Sequence, residues 1–150
     1  MRRITLVLAL IVLALPFAPG AAASERRAVT IETEKPFGPS PGTFSATGAI
    51  SDAGTFVNAS FVFGGIGAPN FVSVHAQQRF EGALGTFTLR ANIKETETED
   101  PNVLTDEGAW AVVDGTGAYQ TLRGGGQVTG TADDNAGVIS RTYTGTVHFD

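Results

Sequence analysis

The chain contains no cysteine. A thiol nucleophile, a thiolate metal site, a disulfide and a lipid-modified cysteine are all excluded by that absence. Histidine is nearly absent too, with only His75 and His148. A zinc site needs three or four ligands on converging faces, so no metal is expected. Basic residues are scarce. Setting aside the first 23 residues removes Arg2 and Arg3 from 10 basic residues, leaving 8 against 15 acidic ones, a charge of about −7. Nucleic acid and anionic membrane surfaces require basic patches, so neither is an expected partner. Helical periodicity longer than about a turn is missing throughout. The longest apolar run, about a dozen residues from Ile4 to Leu15, falls short of the roughly 20 needed to span a bilayer.

That run follows the basic Met1-Arg2-Arg3 and is broken by Pro16, and Ala21-Ala22-Ala23 supplies small residues for cleavage. This is the pattern of a secretory signal peptide over residues 1–23, cut near Ala23. Export by the general route is expected, with no membrane association after cleavage. The Arg2-Arg3 pair is ordinary for such an n-region and is weak evidence for twin-arginine export. Residues 24–42 read as a polar leader, a first strand and a proline-rich loop, and residues 29–150 as a single domain large enough for a core.

Glycine (19), phenylalanine (10) and abundant Thr and Val favour short strands and tight turns. Val29, Ile31 and Thr33 alternate with polar neighbours. Three prolines between Pro36 and Pro41 then stop any ladder. Phe44, Ala46, Gly48 and Ile50 mark one face of a second strand, and Val57, Ala59, Phe61 and Phe63 one face of a third. The fourth sets Val72, Val74, Ala76 and Phe80 against Ser73, His75, Gln77 and Arg79. In the fifth, Phe87, Leu89, Ala91 and Ile93 alternate cleanly with polar residues. The acidic run Glu95–Pro101 reads as a solvated loop, with loose calcium binding the weaker alternative. Ala109–Val113 and Gln127–Ala132 give the sixth and seventh strands, and Asp133–Gly137 a hairpin turn. The eighth carries Ile139, Tyr143, Val147 and Phe149 on one face. Eight short strands in succession predict an all-β fold, an eight-stranded antiparallel up-and-down barrel, with a β-sandwich as the alternative.

The stretch Asp114–Gly126 is the most distinctive. It fails as a phosphate cradle, because no Lys-Ser/Thr follows the last glycine and Gln120 stands where a dinucleotide fingerprint needs its third glycine. Gly115, Gly117 and Gly124 are expected to permit positive φ or close strand approach. Tyr119 and Leu122 are expected to plug a barrel end, and Arg123 to bond backbone carbonyls at the turn. Within it, Val113-Asp114-Gly115-Thr116-Gly117-Ala118-Tyr119-Gln120-Thr121-Leu122-Arg123-Gly124 resembles the glycine-rich signature of the allene oxide cyclase and dirigent barrels. Gly85-Thr86-Phe87-Thr88-Leu89 and Tyr143-Thr144-Gly145 look similar to bacterial secreted proteins of that type. The resemblance implies an eight-stranded, calycin-like barrel. It also implies ring closure or steered radical coupling as an activity, and homo-oligomers among relatives. No residue of this chain aligns to the family's catalytic carboxylate, so no catalytic role is carried over.

No Gly-x-Ser-x-Gly elbow is present. Both histidines fall on polar faces and are expected to be exposed. The sequon Asn58-Ala59-Ser60 sits mid-strand. Arg141, however, lies on the apolar face of the eighth strand beside Tyr143, and Glu95 continues the apolar face of the fifth. In a meander these strand ends share one mouth, so Glu95, Arg141 and Tyr143 are candidates to orient a ligand or move a proton there. The alternative is that both charges snorkel into solvent. The expected function is capture of a small hydrophobic ligand in a lumen lined by Phe61, Phe87, Leu89, Ile93, Tyr143 and Val147. A cofactor-free cyclase or isomerase and a filled, non-catalytic surface protein are the alternatives.

Overall fold

The computed structural model describes residues 24–66 and 71–150. The expected signal peptide and the Gly67–Pro69 part of the turn after the third strand lie outside them. The strands are β1 (Arg27–Pro36), β2 (Gly42–Gly48), β3 (Asp52–Ile66), β4 (Phe71–Gly82), β5 (Thr86–Glu97), β6 (Val103–Gly115), β7 (Leu122–Asp133) and β8 (Val138–Phe149). Each pairs antiparallel with the next, and β8 closes on β1 from Arg27↔Val147 to Pro36↔Val138. The sheet is therefore a closed up-and-down barrel, and the sandwich alternative is excluded.

The strands run longer than local alternation suggested. Arg27 and Ala28 belong to β1 rather than to a leader. β5 continues through Glu97, so the solvated loop shrinks to residues 98–102. β6 begins at Val103, six residues before Ala109, because pairing with β5 and β7 carries the turn-like Asp106-Glu107-Gly108 into the ladder. In β3 the face is misassigned. Phe56 pairs with Phe80 and points inward, and Val57 points out. A bulge between Asn58 and Ser60 then inserts Ala59, so Phe61 and Phe63 share the inner side with Ala76 and Val74. One extra residue reverses the parity of everything after it. Before the bulge, Asn58 of the sequon shares the inward parity of Phe56, and its Oδ1 accepts a hydrogen bond from Gln78 Nε2 at 3.2 Å.

Side chains fill the lower lumen. Phe80 stacks on Phe87 (4.8 Å between centroids) and on Phe56 (5.1 Å), with Phe44 edge-on at 5.2 Å. Trp110, Gly126 and Gly145 occupy one paired row across β6, β7 and β8. The indole Nε1 donates to the carbonyls of Gln127 (3.0 Å) and Thr144 (3.2 Å), and a Cβ on either glycine would collide with the backbone of the neighbouring strand.

One end of the barrel is sealed by the glycine-rich corner. Gly117 (φ 60°) opens a short 3-10 turn, Gly117–Tyr119. Gly124 (φ 141°) starts the return, and a Cβ on Gly115 would collide with the Tyr119 carbonyl. Tyr119 and Leu122 are buried as expected, and Arg123 Nη1 donates to the Leu122 carbonyl at 2.8 Å. The corner packs on the β4–β5 turn: Thr116 N donates to Thr86 O (2.8 Å) and Ala118 N to Leu84 O (3.0 Å). The Gly85 and Gly115 segments, noted separately in the sequence, are thus one structural unit.

Asp52 locks this end. It accepts from Tyr119 Oη at 2.7 Å and from the backbone N–H groups of Ala53, Ala83 and Leu84. Partial burial pushes its pKa up, but the four donors outweigh it and the net shift is downward. A carboxylate with a depressed folded pKa stabilises above its unfolded pKa, and that contribution is lost as pH falls through the folded value. Tyr119→Phe is expected to cost about 1–2 kcal/mol in urea denaturation at pH 7, and the difference from wild type is expected to narrow only in strong acid.

Candidate functional site

The opposite end is the mouth, framed by loops 37–41, 98–102 and 134–137. Backbone hydrogen bonds strap the loops together: Phe37 N donates to Gly137 O (3.2 Å) and Asp134 N to Asn102 O (2.8 Å). A cavity of about 450 Å³ opens here, within the roughly 300–1,000 Å³ typical of small-molecule sites. Phe37, Phe61, Phe63, Leu104, Ala132 and Ile139 supply its apolar wall, and Lys35, Asn58 and Glu95 are among its polar groups. Lys35, Ile139, Ala132 and Leu104 form a single paired row across β1, β8, β7 and β6. That shared row is why residues so distant in sequence meet around one opening.

One step deeper lies a charged row. Arg141, Gly130, Asp106 and Glu95 are successive partners across β8, β7, β6 and β5. Gly130 has no side chain, and a Cβ there would sit 2.7 Å from Arg141 Cγ. The arginine therefore lies over β7 and reaches both acids. Its Nε donates to Asp106 Oδ2 at 2.6 Å and its Nη2 to Glu95 Oε1 at 3.1 Å. All three residues are buried, at 5%, 3% and 9% exposure, so the snorkelling alternative does not hold. Asp106 Oδ1 is buried without a hydrogen-bond partner, an expensive arrangement for a carboxylate.

Glu95 alone of this row lines the cavity. Burial raises its pKa, the Asp106 charge raises it further, and Arg141 opposes both. A carboxyl group so placed can donate as well as accept a hydrogen bond. Tyr143 sits below, fully buried, with its hydroxyl donating to Gln78 Oε1 at 2.6 Å. Burial pushes its pKa up to about 12, against the pull of Arg141 and Gln78, so it stays neutral near pH 7. Lys35, also buried, donates to the carbonyls of Pro36 (3.0 Å) and Gly38 (2.6 Å).

Of the expected lining residues, only Phe61 borders this cavity. Phe87, Leu89, Ile93, Tyr143 and Val147 are packed in the core, because rings fill the space that a ligand-bearing lumen would leave open. His75 is exposed as expected, whereas His148 is half-buried, its Nε2 3.3 Å from Asp150. A second depression, lined by Glu32, Glu34, Thr43 and Ser140, lies open on the outer wall. Sequence reasoning missed Lys35, Gln78 and Asp106. Each has the inward parity of its strand, but Lys35 and Asp106 lie beyond the strand bounds expected from the sequence, and Gln78 is a polar residue between the apolar Ala76 and Phe80.

The fold and site define an eight-stranded up-and-down barrel with a packed core and, among the described residues, a small cavity at its mouth above a buried ion cluster. No family model matches the chain, nor does any curated protein or solved structure.

Proposed function

We propose that this protein is a secreted barrel that holds a small, mostly apolar molecule in its mouth cavity, with Glu95 fixing a hydroxyl or carbonyl on that molecule. The observation that carries the reading is a single one: an apolar cavity of about 450 Å³ has a buried, arginine-tethered carboxyl group in its wall. A site of apolar walls with a few convergent polar groups is the usual form of small-molecule recognition. The closed eight-stranded barrel is the fold that the allene oxide cyclase and dirigent resemblance implies. A second reading, a cyclase or isomerase, draws on the raised pKa of Glu95, which suits a carboxyl group that gives and retrieves a proton at one substrate atom. Tyr143 is then a positioning residue for Arg141, not a reacting group, because it does not border the cavity.

Ala132 is buried and borders the cavity, so Ala132→Phe fills it from within. Titration with anilinonaphthalene sulfonate is expected to show one site on the wild type and at least about tenfold weaker binding to Ala132→Phe. Equal affinity for the two proteins contradicts the reading. Glu95→Gln separates the two versions: binding survives in both, but turnover is lost only if the carboxyl group moves a proton.

A further inference from the structure

A chain of hydrogen bonds runs from the ion cluster to the cavity wall. Arg141 and Tyr143 stand side by side on the inward face of β8, and the guanidinium charge acts on the Tyr143 oxygen. The lone pairs of that oxygen turn towards the charge, so its proton turns away. The hydroxyl donates to Gln78 Oε1 at 2.6 Å, a separation inside the O–H···O range and below the N–H···O range. That contact orients the amide of Gln78, which is 1% exposed. Its nitrogen is left facing Asn58, the residue opposite on β3, and Nε2 donates to Asn58 Oδ1 at 3.2 Å.

Asn58 ends the chain. It is half-buried and borders the mouth cavity. Its Oδ1 is engaged by Gln78, so the polar atom it has left is Nδ2, which makes no hydrogen bond among the described residues. An amide nitrogen only donates. Turning the Asn58 amide over sets two donors against each other at Gln78, and turning Gln78 over sets its N–H groups against the Tyr143 proton. The polarity is therefore fixed at every step. Lys35 Nζ, on the same cavity wall, adds a second donor, since the Pro36 and Gly38 carbonyls take two of its three N–H groups. Asn102 and Asp134 also border the cavity but are exposed at its rim.

We propose that Asn58 selects what the cavity holds, by donating its Nδ2–H to the carbonyl oxygen of an apolar ketone or ester. The inference rests on the cavity reading above and names the ligand group and the residue that takes it. A hydrocarbon of equal size leaves the amide unpaired, and an ammonium group offers it a second donor, so both are disfavoured. Gln78 and Tyr143 touch no ligand. They are positioning residues that keep the donor turned to the cavity.

The test uses two probes, 6-propionyl-2-(dimethylamino)naphthalene and its 6-propyl analogue, which lacks the carbonyl oxygen. The ratio of their affinities, from fluorescence titration, is expected to favour the ketone at least about tenfold more in wild type than in Asn58→Leu. The bound ketone is expected to emit further to the red in wild type, as hydrogen bonding to its carbonyl requires. Tyr143→Phe frees the Gln78 amide to turn over, and is expected to lower the ratio at least about threefold. A barrel merely loosened by that change weakens both probes alike and leaves the ratio where it was. Nuclear magnetic resonance of the wild type keeps the test open should a variant fail to fold: the Asn58 side-chain amide signals are expected to move with the ketone and to stay in place with the analogue. A ratio unchanged by Asn58→Leu, or amide signals indifferent to the ketone, overturns the inference and leaves the cavity reading standing. If neither probe nor anilinonaphthalene sulfonate binds the wild type, both fall together.

Discussion

Arg141→Met is expected to destabilise the protein by about 3–5 kcal/mol at pH 7, measured by urea denaturation. The arginine is the sole hydrogen-bonding partner, among the described residues, of two buried carboxylates in adjacent strands. Removing it leaves both acids with no compensating charge, and the Asp106 oxygen that already lacks a donor is joined by others. The pH dependence gives the loss a signature. A carboxyl group whose folded pKa lies above its unfolded value costs no stability below the unfolded pKa, and the cost is complete once pH has risen through the folded one. Glu95 has this sign already. Without Arg141 the shift grows, so the variant is expected to recover part of its deficit as pH is lowered from 7 towards the ordinary carboxyl range. Combining Arg141→Met with Glu95→Gln and Asp106→Asn is expected to restore most of the stability, because neutral groups need no counter-charge. A deficit of the full size that ignores pH sinks this account of the cluster.

The second large effect concerns the lower lumen. Phe80 is fully buried, sandwiched between Phe87 and Phe56 and touched edge-on by Phe44 and Tyr143. Phe80→Ala removes a ring from the centre of that stack. Truncations of this kind cost about 3–5 kcal/mol, made up of lost transfer energy and the void left behind. For a domain of this size a melting temperature lower by roughly 10–20 °C follows. Phe80→Leu, which refills most of the space, is expected to lose less than half as much. If Phe80→Ala melts within a few degrees of wild type, the lumen is not the packed core described here. The mouth cavity serves as the internal control, since anilinonaphthalene sulfonate bound there is expected to be retained by folded Phe80→Leu.

Much of the architecture is legible in the chain because one physical rule governs it. An antiparallel strand with one wet and one dry face writes its period of two directly into the sequence. Phe87 to Ile93 and Ile139 to Val147 follow that rule without interruption. The same rule put Glu95 and Arg141 on inward faces of strands that end at one mouth, where they form an ion pair. It failed where the backbone departs from simple pairing. The bulge at Ala59 adds a residue that no propensity marks, so Val57 was placed with Phe61 and Phe63 although it points outward. Asp106 was missed because apolar alternation marks the sixth strand only from Ala109 on, whereas the long ladders on either side carry it back to Val103. Gly130 shows why such a site resists reading from sequence. Its contribution is an absent side chain, which matters only because Arg141 must cross that point to reach Asp106.

The central claim is that the mouth, and not the lumen, holds a small molecule. The most direct test is native mass spectrometry of the protein, beside Ala132→Phe prepared identically. The account predicts a wild-type species heavier than the chain by one small molecule, released on mild activation, and a bare Ala132→Phe chain that is folded by circular dichroism. A bare wild type, or the same added mass on both proteins, contradicts it.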